Sequence, residues 1–297
     1  MNKVTLTIVA VAAVAVAIAA YYLVFVQHIL APSISVRGLS TGEDLYIIGY
    51  YPNIPTIVGS IVSGGSISLK QTKGMGTYPL SPSDIDQLKA LLSSNSPFIL
   101  RFGNPHAQYL VIELLDPVCP FCTMFDIYNF SQLAPLISRG DIYYVVIYFP
   151  THVVGYYMYY EYYEYQKNEY YAEYSLTAFN YSVALWNMWS CIYGKYGESK
   201  ALEAINSTYF ADYLYGIIPV YIYRNQQAEF TYPISAYMEL NKTYPDCSIK
   251  LTPSEALGIV NNALNLTYKI FSLTIPRSIV NNTGTPMFII LRNPFSS

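Results

Sequence analysis

The first apolar stretch of the chain is unbroken. Residues 4–26 carry no charge, and Lys3 precedes them. A helix of these 23 residues, rising about 1.5 Å per residue, spans a hydrocarbon core of about 30 Å. Ala17-Ile18-Ala19 offers a small-residue cleavage site, so a secretory signal peptide competes with a retained anchor. The apolar run continues beyond that site through Tyr21, Tyr22, Leu23, Val24, Phe25 and Val26, which favours the anchor. Tyr21 and Tyr22 then mark the outer interface, and Lys3 favours a cytoplasmic N-terminus. Either reading exports the rest of the chain.

Patterning then becomes short and punctuated. Apolar runs at 45–51 and 54–62 are interrupted by Pro52, Pro55, Gly59, Gly64 and Gly65, which predicts a small β-rich unit over residues 27–95. A helix closes it. Ser81-Pro82-Ser83-Asp84 supplies an N-cap, a proline at the first helical position and an acid in the first turn. Ile85, Leu88, Leu91 and Leu92 follow at helical spacing. The unit reads as a docking module, a dimerisation module or a spacer.

A second domain is predicted over residues 96–297. Residues 109–115 are nearly continuously apolar, the pattern of a strand covered on both faces. Asp116 and Pro117 end it, and Cys119 opens a helix carrying Phe121, Met124, Phe125 and Tyr128, with a kink expected near Pro135. After Gly140 and Asp141, residues 142–149 form a second apolar strand. The order is β-α-β, which predicts a parallel pair with a right-handed crossover. Residues 155–273 read as helical. Ten tyrosines between 156 and 174, interleaved with Glu161, Glu164, Glu169 and Glu173, predict one long, partly exposed helix, with a partner-binding surface as the alternative. Further helices are expected at 175–193 and 198–205. Thr252-Pro253-Ser254-Glu255 announces another, with Leu257, Val260, Leu264, Tyr268 and Phe271 on one face. The last strand is predicted at 287–291.

Composition adjusts this picture at three points. The hydrophobic fraction is 53% against 12% charged, and 33 tyrosines account for part of the excess. A net charge of −3 gives no basic field, so nucleic acid is excluded as a partner. Asn-x-Ser/Thr triplets at Asn129, Asn180, Asn206, Asn241, Asn265 and Asn281 are candidate glycosylation sites and agree with export.

Four cysteines carry the chemistry. Cys119 and Cys122 form a C-x-x-C pair. A structural zinc site needs four ligands, usually two close pairs, whereas Cys191 and Cys247 are isolated. His28, His106 and His152 stand at no ligand spacing, so neither a metal nor another cofactor is expected. An inert disulfide closing so short a loop adds little stability. A redox pair remains. At a helix N-terminus the unpaired N–H groups favour a thiolate, which makes Cys119 the nucleophile. Cys122, one turn further in, is expected to be the more buried, resolving thiol.

The sequence Gly103-Asn104-Pro105-His106-Ala107, followed by 111–118 and Cys119-Pro120-Phe121-Cys122, resembles the DsbA-like branch of the thioredoxin superfamily. Gly284-Thr285-Pro286-Met287-Phe288 resembles that branch's second hallmark. The resemblance implies an α/β thioredoxin-like domain with a large helical insertion at about 155–273. It implies that Pro286 follows a cis bond facing the cysteines and that Thr285 lends its backbone to bind substrate chain. It also implies that Glu113 lies beneath the disulfide, where it accepts or relays a proton; otherwise it is a strand-end carboxylate reaching solvent. Asp116 reads as a turn or cap residue. Cys191 and Cys247 are expected to pair as a structural disulfide, the alternative being a second redox relay or two free thiols. The chain ends 11 residues after Pro286, where the branch continues into a further strand and helix. The sheet's last edge and one covering layer are therefore expected to come from the N-terminal unit or a second chain, the equal alternative being a divergent member that retains the site and has lost part of the scaffold.

These features imply a single-pass membrane protein whose catalytic domain lies on the extracytoplasmic side. Its activity would be thiol–disulfide oxidoreduction, with oxidation favoured over isomerisation or reduction. Its partners would be reduced or misoxidised exported proteins and a membrane redox protein that recycles the pair. The alternative is a glycosylated surface-binding protein on the same scaffold without turnover.

Overall fold

The computed structural model describes residues 54–64, 80–218, 226–275 and 284–296. The apolar run at 4–26, the strand expected at 45–51 and Asn281 lie outside the described residues. The elements are α1 (Ile54–Val62), α2 (Pro82–Ser93), β1 (Ile99–Gly103), β2 (Tyr109–Leu115), α3 (Pro120–Phe125) and α4 (Ser131–Ser138). After β3 (Ile142–Tyr148) come α5 (Thr151–Tyr165), α6 (Glu169–Tyr196), α7 (Glu198–Asp212), α8 (Gln226–Thr243), α9 (Pro253–Thr274) and β4 (Met287–Arg292). Among the described residues, no helix is long and apolar enough to cross a membrane.

The strands form one sheet in the order β1-β3-β2-β4. β2 and β3 are parallel, as the β-α-β reading requires, while β1 and β4 pair antiparallel at the two edges. Alternation along each strand divides the side chains between two cores. On one face Leu110, Ile112 and Leu114 of β2 pack with Leu88 and Leu92 of α2 and with Ile270 and Phe271 of α9. On the other face Val111 and Leu115, and by alternation Glu113, look toward α3 and the helical insertion. α2 thus forms part of the layer that covers the first of these faces. Its Ser81 cap accepts from the Asp84 N–H, and the Asp84 carboxylate accepts from the Ser81 N–H in return.

Residues 54–62 overturn the expectation of a β-rich unit there: they form α1. Ile54, Ile57, Val58 and Ile61 are the buried positions, at the i, i+3, i+4, i+7 spacing of a helix face. Pro55 falls in the first turn, where its missing N–H has no intrahelical partner to lose. This face joins the same core as α3 and α4.

The tyrosine-rich segment also differs from its expectation. It is two helices, broken at Lys167, whose φ is 55°, and restarted by Asn168, whose side chain accepts from the Tyr171 N–H. The helix is not broken at Pro135, which lies inside α4; its regular winding is interrupted earlier, by a π-helical turn spanning Asp126–Phe130, and restarts at Ser131. In α9 the capping box at Thr252 and Glu255 is present, but the buried face is Ala256, Val260, Ala263, Thr267, Ile270 and Phe271. Small and hydroxyl residues let α9 approach closely, and Tyr268 turns outward. A search for large apolar residues alone cannot see such a face.

The insertion is fixed to the sheet at named points. Trp186 of α6 stacks on Tyr148 of β3, with ring centroids 4.7 Å apart, and its indole N–H donates to the Pro97 carbonyl at 2.9 Å. Trp189 donates to Thr208 of α7 at 2.9 Å. Cys191 and Cys247 are joined by a disulfide that ties α6 to the turn after α8. It bridges a sequence separation of 56, for which the chain-entropy relation gives about 4 kcal/mol. Replacing both cysteines by serine should therefore lower the unfolding free energy by about 2–4 kcal/mol in a urea titration. An unchanged midpoint and slope would show that the bridge does not constrain the unfolded chain.

Candidate active site

The site is assembled where β2 ends. Asp116-Pro117-Val118 turns the chain, with the Cys119 N–H donating to the Asp116 carbonyl at 3.1 Å. The insertion holds this turn from outside. Tyr209 of α7 donates to the Asp116 carbonyl at 3.1 Å, and Tyr232 of α8 donates to the Val118 carbonyl. Cys119 then takes the N-cap position of α3, with Pro120 as the first helical residue. Its Sγ accepts from the Cys122 N–H at 3.3 Å. As a thiol it donates to the Thr285 carbonyl at 3.0 Å. The Thr285–Pro286 bond is cis. Phe121, between the two cysteines, is exposed.

Exposure does not distinguish the two thiols, contrary to expectation. Cys119 is 0% and Cys122 1% exposed, and both are free. Their surroundings do distinguish them. Burial pushes the Cys119 thiol up. Hydrogen bonding from Cys122, the hydrogen bond and charge of His152, and the Thr285 side chain outweigh it, leaving Cys119 well below the ordinary thiol range. Burial and the adjoining Cys119 push Cys122 well above that range. Cys119 is therefore the more acidic of the two sulfurs and Cys122 the less acidic.

His152 was not singled out by the sequence beyond its lack of zinc-ligand spacing. It stands in the first turn of α5, at the C-terminal end of β3 beside the end of β2. Burial lowers its pKa, but its hydrogen bond to Cys119 and the charges of Cys119, Asp116 and Asp212 raise it to about 9. Thr151 and Thr285 flank its Nδ1 at 3.1 and 3.4 Å. The parallel register that sets Leu115 against Tyr148 carries the signal that could have found it, since residues just past two parallel neighbours meet.

Asp116 is the turn residue expected, and it also caps α5. Its Oδ1 accepts from the Val118 N–H at 3.0 Å, and its Oδ2 from the N–H groups of His152 and Val153 at 2.6 and 3.2 Å. Burial raises its pKa to about 6, against the lowering charge of His152. Glu113 does not reach solvent: it is buried, Tyr144 donates to its Oε2, and burial raises its pKa to about 8. Two further acids surround α3. Asp126, four residues after Cys122, is raised by burial to about 7. Asp212, which accepts from the Thr123 hydroxyl, is raised by burial to about 8. The helical spacing of Cys122 and Asp126 was readable in the sequence; the approach of Asp212, 89 residues from Thr123, was not.

Asn129, Asn180, Asn206, Asn241 and Asn265 all sit in helical segments, whereas acceptor triplets are expected in surface loops. Cys191 and Cys247 are bonded to each other and take no part in the hydrogen bonds of Cys119. Among the described residues, no group of three or more His, Cys, Asp or Glu is placed to hold a metal ion.

No protein-family model matches this chain. No curated protein matches it either. Several solved structures are distantly similar. Alpha-DsbA1 of Wolbachia pipientis has 15% identity and a TM-score of 0.38, covering 69% of this chain and 81% of that one. A protein-disulfide isomerase from Novosphingobium aromaticivorans has 13% identity and a TM-score of 0.35, covering 65% and 86% respectively. MdbA, a thiol-disulfide oxidoreductase from Actinomyces oris, has 10% identity and a TM-score of 0.36, covering 65% and 75%. At such distances the chemistry stands on the site's own geometry.

Two titrations follow from that geometry. His152→Ala removes a hydrogen bond and a positive charge from Cys119, so the thiolate absorbance near 240 nm should titrate at higher pH than in the wild type. An unchanged midpoint would mean that His152 does not hold the thiolate. Glu113 keeps its proton up to about 8 when folded, against an ordinary value of 4.5. Its contribution to stability is fully present below about 4.5 and is lost as pH rises through about 8, because over that interval only the folded state binds the proton. Glu113→Gln should therefore gain stability on the wild type as pH is raised across this interval, measured by urea titration of the reduced protein. A constant difference between the two proteins would contradict the raised pKa.

Proposed function

We propose that this chain is an extracytoplasmic thiol–disulfide oxidoreductase that forms disulfides in exported proteins through Cys119 and Cys122. The observation that carries this reading is the asymmetric treatment of two adjacent buried sulfurs. Cys119 caps α3 beside His152, which shifts it toward the thiolate, whereas Cys122 is shifted toward its protonated form.

Each exchange can be written with its electrons and protons. In the oxidised protein a substrate thiolate attacks Cys119 Sγ, the Cys119–Cys122 bond breaks, and Cys122 leaves as a thiolate that takes up a proton. A second substrate thiolate then attacks the substrate sulfur of the mixed disulfide, releasing Cys119 as its stabilised thiolate. The substrate has lost two electrons and the protein is left as the dithiol. A membrane redox partner would take those two electrons to restore the disulfide. Thr285, whose backbone faces Cys119, would align the substrate chain.

Stabilisation of the Cys119 thiolate favours oxidation as the working direction. Whatever stabilises the reduced form makes the disulfide a stronger oxidant. Placement outside the cytoplasm is supported by the apolar run at 4–26 and by the Cys191–Cys247 bridge, since such bridges persist in oxidising compartments.

The test is refolding of a reduced multi-disulfide protein by the full chain. Cys119→Ser should lose activity by on the order of 10³-fold or more. Cys122→Ala should accumulate substrates as mixed disulfides at Cys119. Full turnover by Cys119→Ser would sink the proposal, and failure of Cys122→Ala to trap any adduct would point to a binding protein without turnover.

A further inference from the structure

Three hydrogen bonds fasten the cysteine turn to the helical insertion. Tyr209 of α7 donates to the Asp116 carbonyl, Tyr232 of α8 donates to the Val118 carbonyl, and the Thr123 hydroxyl of α3 donates to Asp212 Oδ2. The first two hold backbone before Cys119, and the third holds a side chain just after Cys122. Only the third uses a carboxyl group. Asp212 is the last residue of α7, and a π-helical turn at Tyr213–Ile217 follows it.

The second oxygen of that carboxyl is left bare. Among the described residues, Asp212 Oδ1 is buried and has no hydrogen-bond partner. The backbone of Gly216 packs against it: a Cβ there would lie 2.7 Å from Oδ1 and 2.7 Å from the Tyr232 ring. A buried carboxylate with one oxygen unsatisfied is far costlier than the neutral acid. The groups facing Asp212 are Thr123 of α3, Tyr232 of α8, His152 of α5, and Cys119 and Asp116 of the turn. Burial raises its pKa; the Thr123 hydrogen bond and the charge of His152 oppose this, and Cys119 and Asp116 add to it, leaving about 8.

We infer that Asp212 is a positioning residue through which the insertion responds to the state of the cysteine pair: it fastens the first turn of α3 by way of Thr123, and it links the charge on Cys119 to the charge on its own carboxyl. This inference rests on the oxidoreductase reading of the same site. In the dithiol, negative charge on Cys119 makes a second charge at Asp212 costly, so the carboxyl keeps its proton. Formation of the Cys119–Cys122 bond removes that charge, and Asp212 then releases its proton more readily. The coupling is reciprocal: a proton on Asp212 favours the dithiol, and an ionised Asp212 favours the disulfide.

The experiment equilibrates the full chain with glutathione and glutathione disulfide at fixed pH values from about 5 to 9.5, a range that spans both states of the carboxyl. Two glutathione thiols reduce the protein disulfide, giving the dithiol and one glutathione disulfide, and alkylation of Cys119 and Cys122 reads the dithiol fraction. Asp212→Asn still offers Thr123 an acceptor but cannot ionise. The ratio of its equilibrium constant for dithiol formation to that of the wild type should rise about threefold or more from the acid end to above about pH 8. Thr123→Val, which leaves Asp212 in place, gives an independent reading. With the bond that favours the charged carboxyl gone, the pH at which the dithiol loses ground should move upward, and Thr123→Ser should restore it. A merely structural role would give Asp212→Asn a constant ratio at every pH. That outcome, with no shift in Thr123→Val, would overturn the link while leaving the oxidoreductase reading intact. A wild-type pair that exchanges no electrons with glutathione would overturn both.

Discussion

A sulfur anion inside a protein is expensive unless donors and positive charge surround it, and the site depends on meeting that condition at Cys119. The N-terminus of α3 supplies an N–H, His152 supplies a hydrogen bond and a charge, and Thr285 supplies its side chain. These groups come from three separated parts of the chain. None can be placed without the sheet. Parallel pairing of β2 with β3 ends both strands at the same level, so the turn carrying Cys119 and the helix start carrying His152 meet. Antiparallel pairing of β4 with β2 returns the chain so that Thr285, just before β4, closes the third side.

Asp116 shows how tightly these requirements are linked. One carboxylate receives the Val118 N–H of the turn before Cys119 and two N–H groups at the start of α5. It therefore fixes the cysteine turn and the histidine-bearing helix relative to each other. Tyr209 and Tyr232 then hold the carbonyls of the same turn from the insertion. The insertion thereby positions Cys119 as well as covering the sheet. Its own anchorage runs back through Trp186 on Tyr148, a residue of the strand that ends beside the site.

Much of this was legible in sequence, for identifiable reasons. The strands at 109–115 and 142–148 are continuous apolar runs between clear breakers, and the capping boxes at Ser81 and Thr252 are local signals. Cys119-Pro120-Phe121-Cys122 reads locally too, because a helix start needs only its own residues. What sequence concealed depended on long-range contact. Ile54–Val62 looked strand-like because proline and glycine punctuate it, yet its burial follows a helical face set by contact with the core. His152 and Asp212 acquire their roles only through the meeting of strand and helix ends. Tyr144 lies 31 residues from Glu113, and its hydroxyl is aimed at that carboxylate by the register of the sheet.

The equal burial of the two cysteines changes what resolving power means here. When one thiol is exposed and the other hidden, access alone assigns their roles. Here access is the same for both, so the assignment rests on surroundings: His152 lies with Cys119, while burial and the adjoining Cys119 oppose ionisation of Cys122. Breaking the Cys119–Cys122 bond then leaves the negative charge on the sulfur equipped to carry it and the proton on the sulfur that is not. That partition stabilises the dithiol relative to the disulfide. The buried carboxyl groups reinforce the partition as long as they remain neutral, because each one that ionises adds a negative charge near the thiolate. The same burial that raises their pKa values therefore protects the charge on Cys119.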